Sequence, residues 1–421
     1  MFGFLLAAQI LISSPSDLLD QNITIEVENL LPSQKIELHA KAEDENGRLW
    51  SSWATFNADE NGCVLPEKMA PAAGSYQGVD GMGLFWSMAA DSHSAFKCKE
   101  DCFTVRIECI SGEQLLAQET ISRYLLAPNI QRIEVREMGL AGTLFLPPSE
   151  KQPPVIIVLG GSGGGISETK AKLLASNGFA AFALGYFGVP GLPETLENIR
   201  LEYFETSLEW LKTQPVDASK IGIYGVSRGG ELALILGTLL PVQAIAAIAP
   251  SSVVYGGLAK TPTNAWLYQG KPISPFAPSG TTTFIGGKGI SPSNPANSRA
   301  HFIKGMKEKK AFEAAAIPVE KIRCPALIIS GGDDQLWPSE IFAKQILKRN
   351  KSFRHLNYPK AGHGISIPNL PQREPIYYHP GGKLWFTIGG SKAADQAASA
   401  HSWSELLSFF RKAFAQQTSK D

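Results

Sequence analysis

Ser227 stands in Gly225-Val226-Ser227-Arg228-Gly229, and its flanks give that pattern its meaning. A short apolar run, 221–224, leads into it, and an amphipathic helical pattern, 229–240, follows at once. A serine on so sharp a strand-to-helix turn has a strained backbone, and small residues two places to either side let the turn close. The helix behind it aims free N–H groups and the positive end of its dipole at the serine, where an oxyanion would form. The chemistry expected is nucleophilic attack by the Ser227 hydroxyl.

Such a nucleophile needs a base, and the base needs an orienting acid. Gly331-Gly332-Asp333-Asp334 offers two carboxylates on the loop leaving an apolar run, and His363, between Gly362 and Gly364, follows a later strand pattern. The chain order Ser, Asp, His is that of the α/β-hydrolases. Adjacent side chains point in different directions, so only one of the two is expected to reach His363; Asp334, in the usual Asp-x-x-Trp-Pro placement after the strand, is expected to orient it and Asp333 to cap the loop or the helix that follows. The other histidines fit the role of base less well. His355 lies within a strand pattern, His301 in an insertion, His379 and His401 beyond the last sheet strand, and His39 and His93 in the N-terminal region. Glu231, in the first turn after Ser227, reads as a dipole complement or a packing residue.

The same five-residue pattern occurs again at Gly160-Gly161-Ser162-Gly163-Gly164, but a further glycine rather than a helix follows it. A glycine-rich turn there suits backbone donation to an oxyanion. The expected oxyanion hole therefore combines a backbone N–H from Gly161, Ser162 or Gly163 with that of Arg228. A phosphate cradle is the alternative, although the spacings of the dinucleotide and P-loop motifs are both missing.

These residues need a scaffold, and the sequence from 133 to 421 supplies an alternating one. Uninterrupted apolar runs at 154–159, 180–184, 221–224, 244–249 and 326–330 have the character of buried parallel strands. Helical patterns at 168–177, 193–213, 229–240 and 339–349 lie between them. The expected fold is an α/β-hydrolase domain, a mainly parallel sheet with flanking helices. A segment at 253–317, dense in Gly, Pro, Ser and Thr and carrying Trp266, Phe276 and Phe284, interrupts the alternation. It reads as a lid-like insertion or, alternatively, a solvated excursion.

Residues 1–132 are written differently. Period-two alternation at 22–28, 34–40 and 103–110, broken by turn residues at 44–47, 59–62 and 111–113, predicts an all-β, immunoglobulin-like sandwich domain. Within it, closely spaced glycines from Gly74 run into Leu84, Phe85 and Trp86, a hydrophobic plug suited to packing or to substrate contact.

Composition narrows the function classes. At 421 residues the chain is expected to form two domains, and its 39 basic and 39 acidic residues cancel, giving no global steering toward nucleic acid or an anionic membrane. Five scattered cysteines do not make a disulfide framework and point to a reducing, cytoplasmic setting. Cys98 and Cys102 have a zinc-like spacing without a matching second pair, so neither metal nor cofactor is expected. The apolar start, 2–13, reads as a first strand, with a secretory signal over 1–13 as the weaker alternative. No later segment is a run of about 18 apolar residues, so no membrane span is expected.

Jointly, these residues resemble the acyl-CoA thioesterases related to bile acid-CoA:amino acid N-acyltransferase, over nearly the whole chain. The likeness is carried in the N-terminal part by Gly74, Ser75, Tyr76, Gly78, Asp80, Met82, Gly83, Leu84 and Trp86, and by the run 142–148. Beyond it stand the runs 162–165, 192–197, 201–205, 225–231 and 317–320, Gly332-Asp333-Asp334 with Trp337, the run 358–363, and Gly389-Gly390. The resemblance implies a β-sandwich followed by an α/β-hydrolase, a triad at Ser227, Asp334 and His363, and fatty acyl-CoA as substrate, hydrolysed to free acid and CoA. Members that conjugate the acyl group to an amino acid carry cysteine at the nucleophile, so serine favours water as acceptor. Amino acid N-acylation and general carboxylesterase activity are the alternatives. Arg228, Lys304 and Lys307 are basic candidates for the CoA phosphates, which a solvated face explains equally well. The final Thr418-Ser419-Lys420-Asp421 departs from a Ser-Lys-Leu peroxisomal signal. Oligomeric state is not indicated.

Overall fold

The computed structural model describes residues 7–14, 16–258, 263–276, 289–380 and 382–415. The first part of the proposed signal, Phe284 and the C-terminal tetrapeptide lie outside the described residues. The chain divides into two compact units, the first made of residues 1–126, 366–374 and 392–400, the second of 127–365, 375–391 and 401–421.

In the first unit the strands are β1 (Gln9–Ser13), β2 (Thr24–Glu28), β3 (Lys35–Glu43), β4 (Leu49–Asn57), β5 (Ala73–Gly74), β6 (Cys102–Ser111) and β7 (Gln114–Tyr124). They form a five-stranded antiparallel sheet in the order β5-β4-β3-β6-β7 and a two-stranded antiparallel pair, β1-β2. Alternate residues of β3, among them Ile36, Leu38, Ala40 and Ala42, are buried, as period two requires of a sheet with one covered face. The predicted plug is a single helical turn, α1 (Gly83–Trp86), with every residue buried. Its Trp86 indole N–H donates to Asp80 Oδ2 at 2.8 Å.

The second unit contains β8 (Gln131–Val135), β9 (Ala141–Leu146), β10 (Pro154–Leu159), α2 (Glu168–Ser176), β11 (Ala180–Gly185), β12 (Ile199–Arg200), α3 (Glu202–Leu211), β13 (Asp217–Val226), α4 (Arg228–Gly237) and β14 (Ala244–Ile248). It continues with β15 (Trp266–Tyr268), β16 (Lys271–Pro272), α5 (Arg299–Gly305), α6 (Lys309–Ala314), β17 (Ala326–Gly331), α7 (Ser339–Arg349), β18 (Arg354–Tyr358), β19 (Ile376–His379), β20 (Leu384–Thr387) and α8 (Lys392–Ala415), whose first part belongs to the first unit. Eight strands form one sheet in the order β18-β17-β14-β13-β10-β11-β9-β8. From β18 to β11 all neighbours run parallel, while β9 and β8 add an antiparallel edge. The central strands are apolar along their length because helices cover both faces; β14 and β17 are buried at every residue. This is the α/β-hydrolase architecture.

Two expectations change. The helix expected over 193–213 forms only as α3. Asn198 takes a left-handed φ of 51°, and the backbone N–H groups of Asn198, Ile199 and Leu201 donate to the carbonyls of Asn264, Ala265 and Leu267, so the chain before Glu202 serves β12 instead. The segment 253–317 is not a detached excursion in its described parts: Val254, Ala265, Trp266 and Ile317 are buried in the main core. Val253, Phe276, Phe312 and Ala315 join Trp337 and Phe342 in a second apolar cluster. None of the five cysteines is in a disulfide. Among the described residues no helix is long and apolar enough to cross a membrane.

Candidate active site

The residues expected to do chemistry lie on four loops that follow parallel strands β10, β13, β17 and β18, the usual edge for a site in an open α/β sheet. Strand β13 ends at Val226 and α4 starts at Arg228, leaving Ser227 alone in the turn at φ 57° and ψ −120°. For a non-glycine residue this is a strained conformation, held because its surroundings leave no other. The Ser227 N–H donates to the Ile248 carbonyl at 2.8 Å, and its own carbonyl accepts from Glu231 N–H at 3.0 Å. The flanking glycines are required by space. A Cβ on Gly225 would lie 2.0 Å from the Gly229 carbonyl oxygen, and one on Gly229 would lie 2.3 Å from that of Gly160. That second contact brings the glycine-rich loop after β10 against the first turn of α4.

Gly161 shows how near that loop comes to Ser227: a Cβ there would stand 3.4 Å from Ser227 Cβ and 4.0 Å from its Oγ. The loop is pinned on one flank by Tyr186 Oη, which donates to the Gly160 carbonyl at 2.7 Å, and by Gly165 N–H, which donates to the Phe187 carbonyl at 2.9 Å. On its other flank His379 Nε2 lies 3.0 Å from Ser162 Oγ.

Asp334 is fully buried on the loop after β17. Its Oδ1 accepts from the backbone N–H groups of Leu336 at 3.0 Å and Trp337 at 3.1 Å, and its Oδ2 accepts from His363 Nδ1 at 2.8 Å. His363 lies on the loop after β18, its ring against the edge of Trp337 with centroids 5.8 Å apart. With its Nδ1 proton given to Asp334, His363 keeps the Nε2 lone pair for an incoming proton. Asp333 turns away: its Oδ1 accepts from Gln335 Nε2 and its Oδ2 from Gly390 N–H.

The other histidines have separate employment. His355 Nε2 meets Ser330 Oγ at 2.8 Å, His401 Nδ1 meets Tyr358 Oη at 2.7 Å, and His39 Nε2 lies 3.0 Å from Glu37. Arg228 needs a correction as a phosphate ligand. Its guanidinium is buried, lies 3.3 Å from Glu231 Oε1, donates to the Tyr255 carbonyl at 3.0 Å and sits over the Trp266 ring. It cannot also reach a solvent-borne phosphate, although its backbone N–H opens α4 beside Ser227. Glu231 also accepts from the Trp266 indole N–H at 2.8 Å. Burial raises the pKa of its carboxyl and the Arg228 charge opposes that shift. Glu231 is thus the hub of a buried polar cluster, more than a dipole complement; a Glu four places after Ser227 carries no spacing signal for that.

The hairpin β19–β20 and the residues after it also escaped the sequence reading. Ile388 O accepts from His363 N–H at 2.9 Å and from Gln335 N–H at 3.3 Å, while Gly390 holds Asp333. One short segment therefore touches the loops that carry Asp333–Asp334 and His363 and the glycine-rich loop. The glycines at 389–390 and the lone His379 were its only marks in the sequence.

Two family descriptions match the chain: the acyl-CoA thioester hydrolase/BAAT N-terminal region over residues 20–137, and the BAAT/acyl-CoA thioester hydrolase C terminal over residues 199–416. Acyl-coenzyme A thioesterase 1 of Rattus norvegicus is 34% identical over 409 residues, covering 93% of this chain and 93% of that protein. The chain belongs to the acyl-CoA thioester hydrolase/BAAT family. Within this family it is also 32% identical to acyl-coenzyme A thioesterase 2, mitochondrial, of Homo sapiens, over 93% of this chain and 81% of that protein. It is likewise 32% identical to acyl-coenzyme A amino acid N-acyltransferase 1 of Mus musculus, over 97% of this chain and 99% of that protein.

Proposed function

We propose that this member of the family hydrolyses fatty acyl-CoA to free acid and CoA, with Ser227, His363 and Asp334 as its triad. The observation that supports the reading is the buried Asp334–His363 pair at 2.8 Å, taken together with a serine held at φ 57° on the elbow. Ser227 Oγ attacks the thioester carbonyl while His363 Nε2 takes its proton. The oxyanion is held by Arg228 N–H and one N–H of Gly161–Gly163, a kind of contact whose loss typically costs ~10²–10³ in turnover. Collapse breaks the C–S bond, and the thiolate of CoA leaves with the proton from His363. Water then attacks the acyl-serine, His363 again taking and returning a proton, and the free acid departs. Asp334 keeps the imidazole in the tautomer each step requires.

The test is Ser227→Ala against palmitoyl-CoA. The variant is expected to lose on the order of 10⁴–10⁶ in kcat, and hydrolysis at close to the parent rate sinks the assignment. The N-acyltransferase relative keeps a second reading alive, in which an amine replaces water. Supplying glycine or taurine with the acyl-CoA separates the two, since amide in excess over free acid overturns hydrolysis. The odd number and scatter of the five cysteines favour the cytoplasm as location, and fractionation of cells into cytosol and mitochondria tests it.

A further inference from the structure

His379 and Ser162 lie 217 residues apart in sequence yet form a hydrogen bond of 3.0 Å beside the nucleophile. A serine paired with a histidine inside Gly-x-Ser-x-Gly invites the thought of a second nucleophile. The tautomer rules this out. Gly382 N–H donates to His379 Nδ1 at 2.9 Å, so Nδ1 carries the lone pair and the proton resides on Nε2. His379 therefore donates to Ser162 Oγ and has no lone pair there with which to take a proton. Burial, which lowers the ring's pKa, keeps it in that neutral form.

A fixed donor is suited to holding. Ring contacts with Tyr377 at 5.8 Å and Phe386 at 6.4 Å set the His379 imidazole, and the pairing of His379 with Leu384 sets its backbone in the hairpin. Beside it, a Cβ on Gly163 would stand 3.4 Å from Tyr377 Oη, so the hairpin lies against the loop at both Ser162 and Gly163. On the opposite flank the loop is tied down at Gly160 and Gly165, leaving 161–164 as the short span between two anchors. Those residues contain the N–H assigned above to the oxyanion.

The geometry points to His379 as a positioning residue that acts through Ser162, its Nε2–H fixing where the Gly161–Gly163 backbone presents its oxyanion donor. This rests on the serine-hydrolase reading. Because the clamp matters only once charge has moved onto the carbonyl oxygen, it acts on turnover and leaves substrate binding alone.

The test is a double-mutant cycle on palmitoyl-CoA hydrolysis, with His379→Ala, Ser162→Ala, the double variant and His379→Gln, whose amide restores a donor to Ser162. Each alanine variant is expected to lower kcat about 10- to 100-fold, the scale of a loop displaced by about 1 Å, with KM within about twofold. The double variant should be no slower than the slower single, and His379→Gln should recover most of the loss. Active-site titration with a fluorophosphonate should label each variant to the parent's stoichiometry, which separates misplacement from misfolding. Unchanged kcat, losses that multiply in the double variant, no rescue by Gln, or an effect confined to KM overturns the proposal. Ser227→Ala is run alongside: if it hydrolyses normally the serine reading falls and takes this one with it, whereas an inactive Ser227→Ala with a fully active His379→Ala removes only the clamp.

Discussion

Asp334 divides its two carboxylate oxygens between different tasks, and that division fixes what an amide would do in its place. Oδ1 accepts from two backbone N–H groups, so in Asp334→Asn the carbonyl oxygen must stay there, and the NH2 group turns to His363 Nδ1. His363 then has to accept at Nδ1 and carry its proton on Nε2, the tautomer that cannot receive one from Ser227. A loss in kcat of about 10⁴ is expected with little change in fold, read from steady-state rates beside a circular dichroism spectrum; a loss under about tenfold would remove Asp334 from the proposed triad. Glu231 poses a stability question instead. Glu231→Ala leaves the buried Arg228 guanidinium without its counter-charge and the Trp266 indole N–H without an acceptor. Breaking a buried pair on one side costs about 3–5 kcal/mol, measurable by urea unfolding, and a change below about 1 kcal/mol would show that the cluster rearranges to satisfy Arg228.

Among elements, the segment running from β19 to Gly390 decides most about the site. Gly389 has φ 69°, and a Cβ there would stand 1.8 Å from the Asp333 carbonyl oxygen. Gly389→Ala must therefore push the acid loop or the hairpin exit aside, moving Asp334 relative to His363. The expected result is a fall in kcat of about 100-fold with a lowered thermal midpoint, while Gly382→Ala, whose Cβ would meet nothing nearer than 3.5 Å, leaves the midpoint within about 1 °C. Equal midpoints for the two variants would show the loop to be more yielding than its contacts imply. Why this segment was illegible in the sequence while the elbow was not is a matter of where the information lies. Ser227 is announced locally, by an apolar strand before it and an apolar helical stripe after it, and β10, β14 and β17 announce themselves by the apolar runs 154–159, 244–249 and 326–330. The role of Ile388, Gly390 and His379 lies in partners between 25 and 217 residues away, bonded largely through backbone groups that no side-chain pattern encodes. The same holds for 193–198, where apolar spacing suggested helix and long-range backbone bonds won.

At the scale of the molecule, chain order and compact unit part company. The boundary expected at 132 falls within β8, which is hydrogen-bonded into the large sheet of the second unit, whereas the first unit ends at 126 and takes back two later pieces, 366–374 and 392–400. Those pieces fill specific bonds within that unit. Asn369 Nδ2 donates to the Leu19 carbonyl at 3.0 Å, Gln372 N–H donates to the Trp86 carbonyl at 2.9 Å, and Gln396 ties to Asn369 through its side chain. A fragment of residues 1–132 keeps the five-stranded sheet but loses the Gln372 donor to the carbonyl of buried Trp86 and the Asn369 donor to that of buried Leu19, which retains Arg123. Each lost bond to a buried group costs about 1–3 kcal/mol against a total stability of only about 5–15 kcal/mol. The fragment should therefore unfold at a markedly lower urea concentration than the intact chain, or without a cooperative transition, with tryptophan fluorescence as the probe. A chimera in which 366–374 and 392–400 are appended through flexible linkers should regain part of the difference. If the bare fragment unfolds cooperatively at a midpoint equal to that of the intact chain, the later pieces are passengers, and the sandwich is an independent domain as the sequence alone suggests.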